Sequence, residues 1–349
     1  MVIAVYVDFK SYGPYPVDLY FIKSLLQNLS ADFPQHNYYL IQPGSIDEPG
    51  DGFDSFSLTS IKINPGFYNY RINRSISQTL KRLKADLLFS FDAVFKTDID
   101  QLLLFTSLNR KQNSDVEKPP KIKSAFVPSQ KLKDHLELKY NRGIPISILY
   151  GGPSKIFEPL DDEMKSLIKE KYTEGKEYFV CRGRVKEQNN TISLLKAFSL
   201  FKKRQKSAMK LLLMGKVFWQ ENDFSKLMST YKYRDDIVMA EDEILSEEAN
   251  ILAAAYALVQ PYSMSNALFL FDAMQCAVPV LTPNDPPLKE LTSDAALYFD
   301  STNETDIADK MMLVYKDEGL RNQLIENGKK LISHYQWKKT TEIVAQYLQ

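Results

Sequence analysis

The chain has 349 residues, of which 44 % are hydrophobic and 25 % charged, and its 44 Lys and Arg residues balance its 44 Asp and Glu residues. This composition is that of an ordinary globular protein, and the length predicts two domains or one large one. Because the sequence shows neither a basic excess nor a basic stripe, we expect no nucleic-acid partner.

Short apolar runs alternate with amphipathic stretches in the first half of the chain. Helices are predicted at residues 17–29 and 71–83, and in the first of these the leucines and isoleucines recur at helical spacing. Strands that alternate with helices favour a parallel sheet covered on both faces. The strands predicted here are residues 3–7, 38–41, 87–90, 102–105, 125–127 and 146–149.

The same pattern restarts after a break at Gly151, Gly152 and Pro153. Two doubly wound units in series place a ligand at the carboxyl ends of the strands, in a cleft between the units. The strands predicted in this half are residues 178–181, 210–214, 237–240, 257–259, 278–282 and 297–299. The helices are residues 161–171, 193–203, 304–315, 318–334 and 339–348, with others between the strands.

Cysteine and histidine form no site that the sequence reveals. Cys181 and Cys276 lie beside apolar residues and are predicted to be buried free thiols in a reducing compartment. The histidines His36, His135 and His334 show no metal-ligand spacing, so we expect no metal. The start of the chain has no signal-peptide pattern, and no apolar stretch approaches the ~18 residues of a membrane span. These features predict a soluble, cytoplasmic protein.

Six segments of the second half carry short motifs as well as periodicity. They are residues 149–159 (LYGGPSKIFEP), 181–184 (CRGR), 190–198 (NTISLLKAF), 273–280 (AMQCAVPV), 290–297 (ELTSDAAL) and 333–337 (SHYQW). Together they resemble the group 1 glycosyltransferases, family 4, and AMQCAVPV is the most specific match. Residues 1–148 match that family only in the order of their elements.

The resemblance implies the GT-B fold, an α/β architecture of two Rossmann-like doubly wound domains facing a central cleft. Residues 1–155 would form the acceptor-side domain, joined by the C-terminal helix 339–349, and residues 156–338 the nucleotide-sugar domain. The implied activity is retaining transfer of a sugar from a nucleotide-sugar donor to a glycan or glycolipid acceptor, without a metal or a cofactor. The implied location is the cytoplasm, peripheral at the inner membrane, in cell-envelope polysaccharide synthesis.

The resemblance also implies which residues bind the donor. They are Gly183, Arg184, Lys186, Asn189, Ser265, Asn266 and Asp272. Arg184 would neutralise the diphosphate, the alternative being a surface arginine. Asp272 falls on the second family carboxylate and would accept hydrogen bonds from the ribose hydroxyls. The alternative for Asp272 is a carboxylate that only stabilises the start of a helix.

Several positions that carry the family's chemistry are substituted in this chain. The loop lysine falls on Asn189, the carboxylate that contacts the transferred sugar falls on Met264, the family histidine falls on Thr106, and Ala277 replaces a glycine. No catalytic residue is therefore assigned, and two interpretations stand. One is a transferase of reduced activity. The other is an inactive pseudo-glycosyltransferase that acts as a binding or assembly partner of a homologous transferase or of a second copy. A nucleotide sensor that handles no sugar is a third.

Overall fold

The chain divides into two compact units, each with its own parallel sheet. The computed structural model describes residues 1–12, 16–43, 61–63, 68–106, 121–139, 143–183, 190–215, 223–241, 243–264 and 266–348. The first unit comprises Met1–Gly151 and Gln336–Gln349, and the second comprises Gly152–Tyr335. The limits predicted from the sequence are residues 155 and 338.

The sheet of the first unit is built from β1 (Val2–Tyr6), β2 (Asn37–Pro43), β3 (Ile61–Ile63), β4 (Leu87–Phe91), β5 (Asp100–Leu104), β6 (Ile122–Val127) and β7 (Ile146–Ile148). Within the described residues, these seven strands lie in the order β3-β2-β1-β4-β5-β6-β7, and all neighbouring pairs are parallel. The strand order reverses between β1 and β4. In doubly wound sheets, such a switch point is where ligands bind.

The sheet of the second unit is built from β8 (Tyr178–Arg182), β9 (Lys210–Met214), β10 (Ile237–Ala240), β11 (Ala257–Val259), β12 (Val280–Pro283) and β13 (Ala296–Phe299). The order of these six described strands is β10-β9-β8-β11-β12-β13, again with parallel neighbours. Here the order reverses between β8 and β11. The carboxyl ends of these two strands are therefore the expected position of a ligand.

Helices connect the strands in both units. In the first half they are α1 (Pro16–Asp32), α2 (Tyr68–Leu83) and α3 (Gln130–Lys139), with a short 3-10 helix at Phe9–Tyr12. The second half contains α4 (Asp162–Thr173), α5 (Thr191–Gln205), α6 (Asp223–Thr230), α7 (Leu245–Ala253), α8 (Leu268–Gln275), α9 (Pro286–Thr292), α10 (Glu304–Lys316), α11 (Glu318–Ile332) and α12 (Trp337–Ala345).

The last helix, α12, packs on α1 within the first unit. The rings of Trp337 and Phe21 lie with their centroids 5.6 Å apart, and the Thr341 hydroxyl donates to the Asp32 carboxylate at 2.6 Å. The backbone N–H of Gly151 donates to Thr340 Oγ1 at 3.2 Å, which joins the end of the first segment to the same helix. The first unit is thus assembled from two separate stretches of chain.

The core of the second unit lies between its sheet and α5 and α10. Phe179 on β8 meets Phe201 on α5 edge to face, with ring centroids 5.2 Å apart. Phe198, Ile307 and Met311 are fully buried in the same cluster. Apolar residues of β8 on one face and of α5 at helical spacing on the other explain why this segment folds as a strand–helix unit.

The predicted fold class is confirmed, because both units are parallel α/β sheets with connecting helices. Two elements were not predicted, namely β3, which has only three residues, and α3, whose buried face consists of Leu132 and Leu136. Elements this short give too few periods for a pattern. The prediction of two buried thiols is correct for Cys276, whereas Cys181 is only partly buried.

Candidate functional site

Two glycines directly follow the carboxyl ends of β8 and β9 in the second unit. Gly183 has φ +118° and Gly215 has φ +127°, a region that side chains rarely adopt. A Cβ atom on Gly183 would collide with the Tyr262 hydroxyl, and one on Gly215 would collide with the Gly183 carbonyl oxygen. Backbone therefore approaches backbone at Gly215, whereas side chains pack against Gly183, and the positive φ favours glycine at both positions.

Arg182, the last residue of β8, is a buried arginine with two carboxylate partners. Its Nη1 atom lies 2.6 Å from Asp272 Oδ2, and its Nη2 atom lies 3.1 Å from Glu248 Oε2. The guanidinium also lies between two aromatic rings, 4.6 Å from the centroid of Phe157 and 4.3 Å from that of Phe269. Because a buried charge is strongly unfavourable without partners, this environment explains how the arginine is tolerated.

The backbone of Arg182 is fixed by side chains from the loop that follows β11. Its carbonyl oxygen accepts hydrogen bonds from Gln260 Nε2 and from the Tyr262 hydroxyl, both at 2.9 Å. Gln260 Oε1 in turn accepts from the Arg182 N–H at 3.4 Å. Burial raises the pKa of Tyr262, so its hydroxyl stays protonated and remains a donor.

Asp272 on α8 is completely buried, and both of its carboxylate oxygens accept hydrogen bonds. Oδ2 accepts from Arg182, and Oδ1 accepts from the backbone N–H of Ser154 at 3.0 Å. The chain segment that follows β7 is thereby joined to α8 and to the end of β8. These residues form a single cluster at the switch point of the second sheet, hereafter the Arg182 cluster (Arg182, Asp272, Glu248, Phe157 and Phe269).

The switch point of the first sheet carries a second polar cluster. Asp92 follows β4 with a left-handed backbone, φ +50°. Its carboxylate accepts hydrogen bonds from the Tyr12 hydroxyl at 2.6 Å, from the Thr106 hydroxyl at 2.7 Å and from the Thr106 N–H at 2.8 Å. The Thr106 hydroxyl also lies 3.4 Å from Asp18 Oδ2. This arrangement cross-links the ends of β4 and β5 to the 3-10 helix and α1.

The sequence of the second unit matches a known family model. Residues 163–331 match the family model of the Glycosyl transferases group 1. Over this segment, the chain is similar to the group 1 glycosyltransferases. None of the curated proteins matches the sequence.

Solved structures share the fold along almost the whole chain. A glycosyltransferase from Rickettsia africae ESF-5 has a TM-score of 0.79 at 14 % identity, covering 99 % of this chain and 97 % of that one. Anabaena HepE in complex with UDP and glucose has a TM-score of 0.78 at 10 % identity, with 100 % and 99 % covered. WaaG, a glycosyltransferase involved in lipopolysaccharide biosynthesis, has a TM-score of 0.72 at 14 % identity, with 98 % and 99 % covered. The predicted GT-B fold is confirmed.

Three of the residues predicted to bind the donor lie at the second switch point. Gly183 and Asp272 are placed as described above. Asn266 is buried, and its Oδ1 atom accepts a hydrogen bond from the Leu268 N–H at 3.2 Å, at the start of α8. The other four candidates, Arg184, Lys186, Asn189 and Ser265, lie outside the described residues. The assignment of all seven to the donor stays a prediction.

Three of the four positions predicted to be substituted, Met264, Thr106 and Ala277, lie in the described residues, whereas Asn189 lies outside them. Met264 is buried, with 4 % of its surface exposed, and Thr106 is buried with its hydroxyl on Asp92. Ala277 occupies the left-handed position after α8, with φ +58°. Sequence reasoning missed Arg182, Glu248 and Asp92 as members of these clusters. For Asp92 the sequence contains one signal, namely that an acidic residue directly follows a buried strand. Arg182 and Glu248 have no such signal.

Neither a metal site nor a membrane-spanning helix is found in the described part of the chain. No group of three or more His, Cys, Asp or Glu side chains in these residues has a geometry that would hold a metal ion. In the same residues, no helix combines the length and the apolar character that a bilayer crossing requires.

Proposed function

We propose that the protein binds a nucleotide sugar at the second switch point and transfers the sugar slowly, with retention, to a glycan or glycolipid acceptor. The family similarity over residues 163–331 supports sugar transfer as the reaction class. The complexes of the structural neighbour HepE with UDP and glucose support a nucleotide-sugar donor. The role of WaaG in lipopolysaccharide biosynthesis supports an acceptor of the cell envelope, reached from the cytoplasmic face of the inner membrane.

The observation that carries the proposed low rate is the buried thioether of Met264. The family resemblance assigns a carboxylate to this position, in contact with the transferred sugar. A hydrogen bond to a charged group contributes about 1.5–3 kcal/mol, and each ~1.4 kcal/mol changes a rate tenfold. The apolar Met264 therefore accounts for a loss of roughly one to two orders of magnitude in turnover. Thr106 adds to this loss, since its hydroxyl is bonded to Asp92.

The alternative function is that of an inactive glycosyltransferase homologue that binds a partner. The partner would be an active homologous transferase or a second copy of the chain. The Arg182 cluster favours this alternative, because the carboxylate of Asp272 is buried and bonded to the protein itself. A protein that binds no nucleotide at all would fit this function and not the first.

The proposed function is tested by a donor assay on the wild type and two variants. Calorimetric titration with UDP, GDP, ADP and their hexose conjugates first identifies the donor. Hydrolysis and transfer rates are then measured for wild type, for Met264→Glu and for the neutral control Met264→Gln. We expect a slow wild type and an increase of about tenfold in kcat for Met264→Glu alone, because only the glutamate supplies charge to the transition state.

Two outcomes contradict the proposal. Wild-type turnover in the ordinary range of enzymes, roughly 1–1000 per second, would show that the protein compensates for Met264. Absence of binding to every nucleotide and nucleotide sugar would replace the proposal by the partner-binding alternative. Thermal unfolding of both variants shows whether the buried site accepts the new side chains.

A further inference from the structure

We propose that Arg182 determines how the nucleotide is recognised. Its guanidinium donates to the carboxylate of Asp272, so that this carboxylate does not accept hydrogen bonds from the ribose hydroxyls. This inference rests on the proposed binding of a nucleotide in the second unit. It assigns a specificity-determining role to Arg182, a residue that contacts Asp272 and is not itself predicted to touch the donor.

Both carboxylate oxygens of Asp272 have hydrogen-bond donors within the protein. A carboxylate only accepts hydrogen bonds, and its strongest partners are charged donors. Oδ2 has such a partner in Arg182 at 2.6 Å, and Oδ1 accepts from the Ser154 N–H at 3.0 Å. The residue has 0 % of its surface exposed. A ribose hydroxyl at this carboxylate would therefore have to displace a charged donor with a neutral one.

The position of the Arg182 side chain does not depend on Asp272 alone. Its guanidinium also pairs with Glu248 and contacts the rings of Phe157 and Phe269. Gln260 and Tyr262 hold its carbonyl oxygen at the end of β8. Moving the side chain away would break all of its side-chain contacts at once and leave Asp272 as a buried charge, which is strongly unfavourable. The arginine is thus a fixed partner.

The positive charge of Arg182 is balanced within the protein. The guanidinium carries one positive charge and faces two carboxylates, those of Asp272 and Glu248. Its charge is neutralised by these partners, and its side chain is 4 % exposed. Arg182 therefore does not serve as a diphosphate-binding cation, although it lies only two positions from Arg184. Its effect on the ligand acts through Asp272.

The test compares nucleotides that differ only in the ribose. Binding of UDP, 2′-deoxy-UDP and 3′-deoxy-UDP, or of the corresponding nucleotides of another base if titration selects it, is measured for wild type and for Arg182→Met. We expect wild type to bind the three within about twofold. We expect Arg182→Met, in which Asp272 is available, to prefer the full ribose by about tenfold, as for a hydrogen bond to a charged group. Arg204→Met is the matched control and should behave as wild type, since it makes the same change in an arginine that pairs with Asp309 at the exposed surface.

A second measurement covers the case in which Arg182→Met folds poorly. Arg182→Gln keeps a polar but shorter side chain and is tested in the same titrations. In addition, unfolding of Arg182→Met, Asp272→Asn and the double variant forms a double-mutant cycle. We expect the double variant to be more stable than the sum of the single effects predicts. Arg182→Met leaves Asp272 as a buried charge without a cation, and Asp272→Asn leaves the guanidinium with Glu248 as its remaining carboxylate.

The outcomes separate this inference from the proposed function. A wild type that prefers UDP over both deoxy forms by tenfold or more overturns the inference and leaves the proposed function standing. Additive effects in the cycle also overturn it. Failure of wild type and of both Arg182 variants to bind any nucleotide overturns the proposed function and the inference with it. Binding that occurs only in the Arg182 variants likewise contradicts the proposed function and overturns the inference, which expects wild type to bind.

Discussion

At the scale of single residues, the second switch point is built around the buried guanidinium of Arg182. An arginine in a protein interior requires hydrogen-bond acceptors and a counter-charge, and Asp272 and Glu248 provide both. The positive φ of the two residues next to the strand ends favours glycine at positions 183 and 215. Each of these residues is therefore constrained by its neighbours, and this part of the site is preorganised without a ligand.

Ala277 offers a direct test of backbone strain at the end of α8. It lies at the left-handed position where helices commonly end in glycine, with its N–H bonded to the Met274 carbonyl and the Val278 N–H bonded to the Ala273 carbonyl. A Cβ atom in this conformation costs about 1–2 kcal/mol, part of which glycine loses again through its greater freedom in the unfolded chain. We expect Ala277→Gly to stabilise the protein by about 0.5–1 kcal/mol in urea unfolding.

The control for Ala277→Gly is Ala273→Gly, which makes the same chemical change four residues earlier. Ala273 is fully buried in the body of α8. Glycine in a helix interior costs about 1 kcal/mol relative to alanine, so this control should destabilise. Equal losses in both variants would show that the left-handed conformation at Ala277 stores no strain.

Sequence reasoning could identify Asp272 but not its partner. The motif around residues 273–280 fixed the position of Asp272 in the chain, and the carboxylate was an obvious candidate for binding. Arg182 lies 90 residues earlier. It sits at the end of an apolar strand, where a charged residue ordinarily faces solvent. Only the parallel pairing of β8 with β11, and the helix that follows β11, brings the two together, and no local pattern encodes that contact.

At the scale of elements, α4 and α7 are joined by a polar cluster at the surface of the second unit. The Tyr172 hydroxyl donates to Glu247 at 2.7 Å and to Glu243 at 2.9 Å, and Lys171 pairs with the same Glu247. Glu247 lies in the first turn of α7, where a negative charge is favourable. Hydrogen bonds from Lys171 and then from Tyr172 lower the pKa of Glu247.

The lowered pKa of Glu247 predicts an acid-dependent contribution to stability. A carboxyl group whose folded pKa is depressed contributes stability that is present above its unfolded pKa, near 4.5, and is lost as the pH falls through the folded pKa. We expect Glu247→Gln to be less stable than wild type at pH 6. The difference should shrink steadily as the pH falls from 6 towards 3.5, measured by urea unfolding at each pH.

The exposed Glu170 on α4 provides the control for this pH series. The Glu170→Gln substitution removes a negative charge from α4. It leaves the contacts of Tyr172 and Lys171 with Glu247 in place. Its difference from wild type should stay small throughout the series, because exposed charges contribute little to stability. A Glu247→Gln difference that is constant with pH would contradict the assigned pKa shift.

Most elements could be predicted from the sequence because their apolar spacing is local. The helix predicted at 304–315 corresponds to Glu304–Lys316, and the strand predicted at 210–214 is Lys210–Met214. The strand predicted to begin at residue 278 begins at Val280, because the residues after α8 first form its left-handed ending. A run of apolar residues alone does not distinguish the end of a helix from the start of a strand.

At the scale of the whole molecule, the two units differ in how the chain builds them. The second unit is one continuous stretch, Gly152–Tyr335, with its core between the sheet and α5 and α10. The first unit depends on both ends of the chain, since α12 covers α1. This difference predicts that the second unit can fold as an isolated fragment and that the first requires two fragments.

We therefore expect the fragment 1–151 to be incompletely folded alone and to be completed by the peptide 336–349. The peptide would restore the contact of Trp337 with Phe21, the hydrogen bond of Thr341 to Asp32 and that of Gly151 to Thr340. The chain has two tryptophans, at positions 219 and 337, so the fragment has none and the peptide has one. Peptide fluorescence should shift to the blue on titration with the fragment, together with a gain of helical circular dichroism. A peptide with Val344→Asp should not bind, because Val344 is fully buried. Cooperative unfolding of 1–151 alone, with no fluorescence shift of the peptide, would show that α12 is dispensable for the first unit.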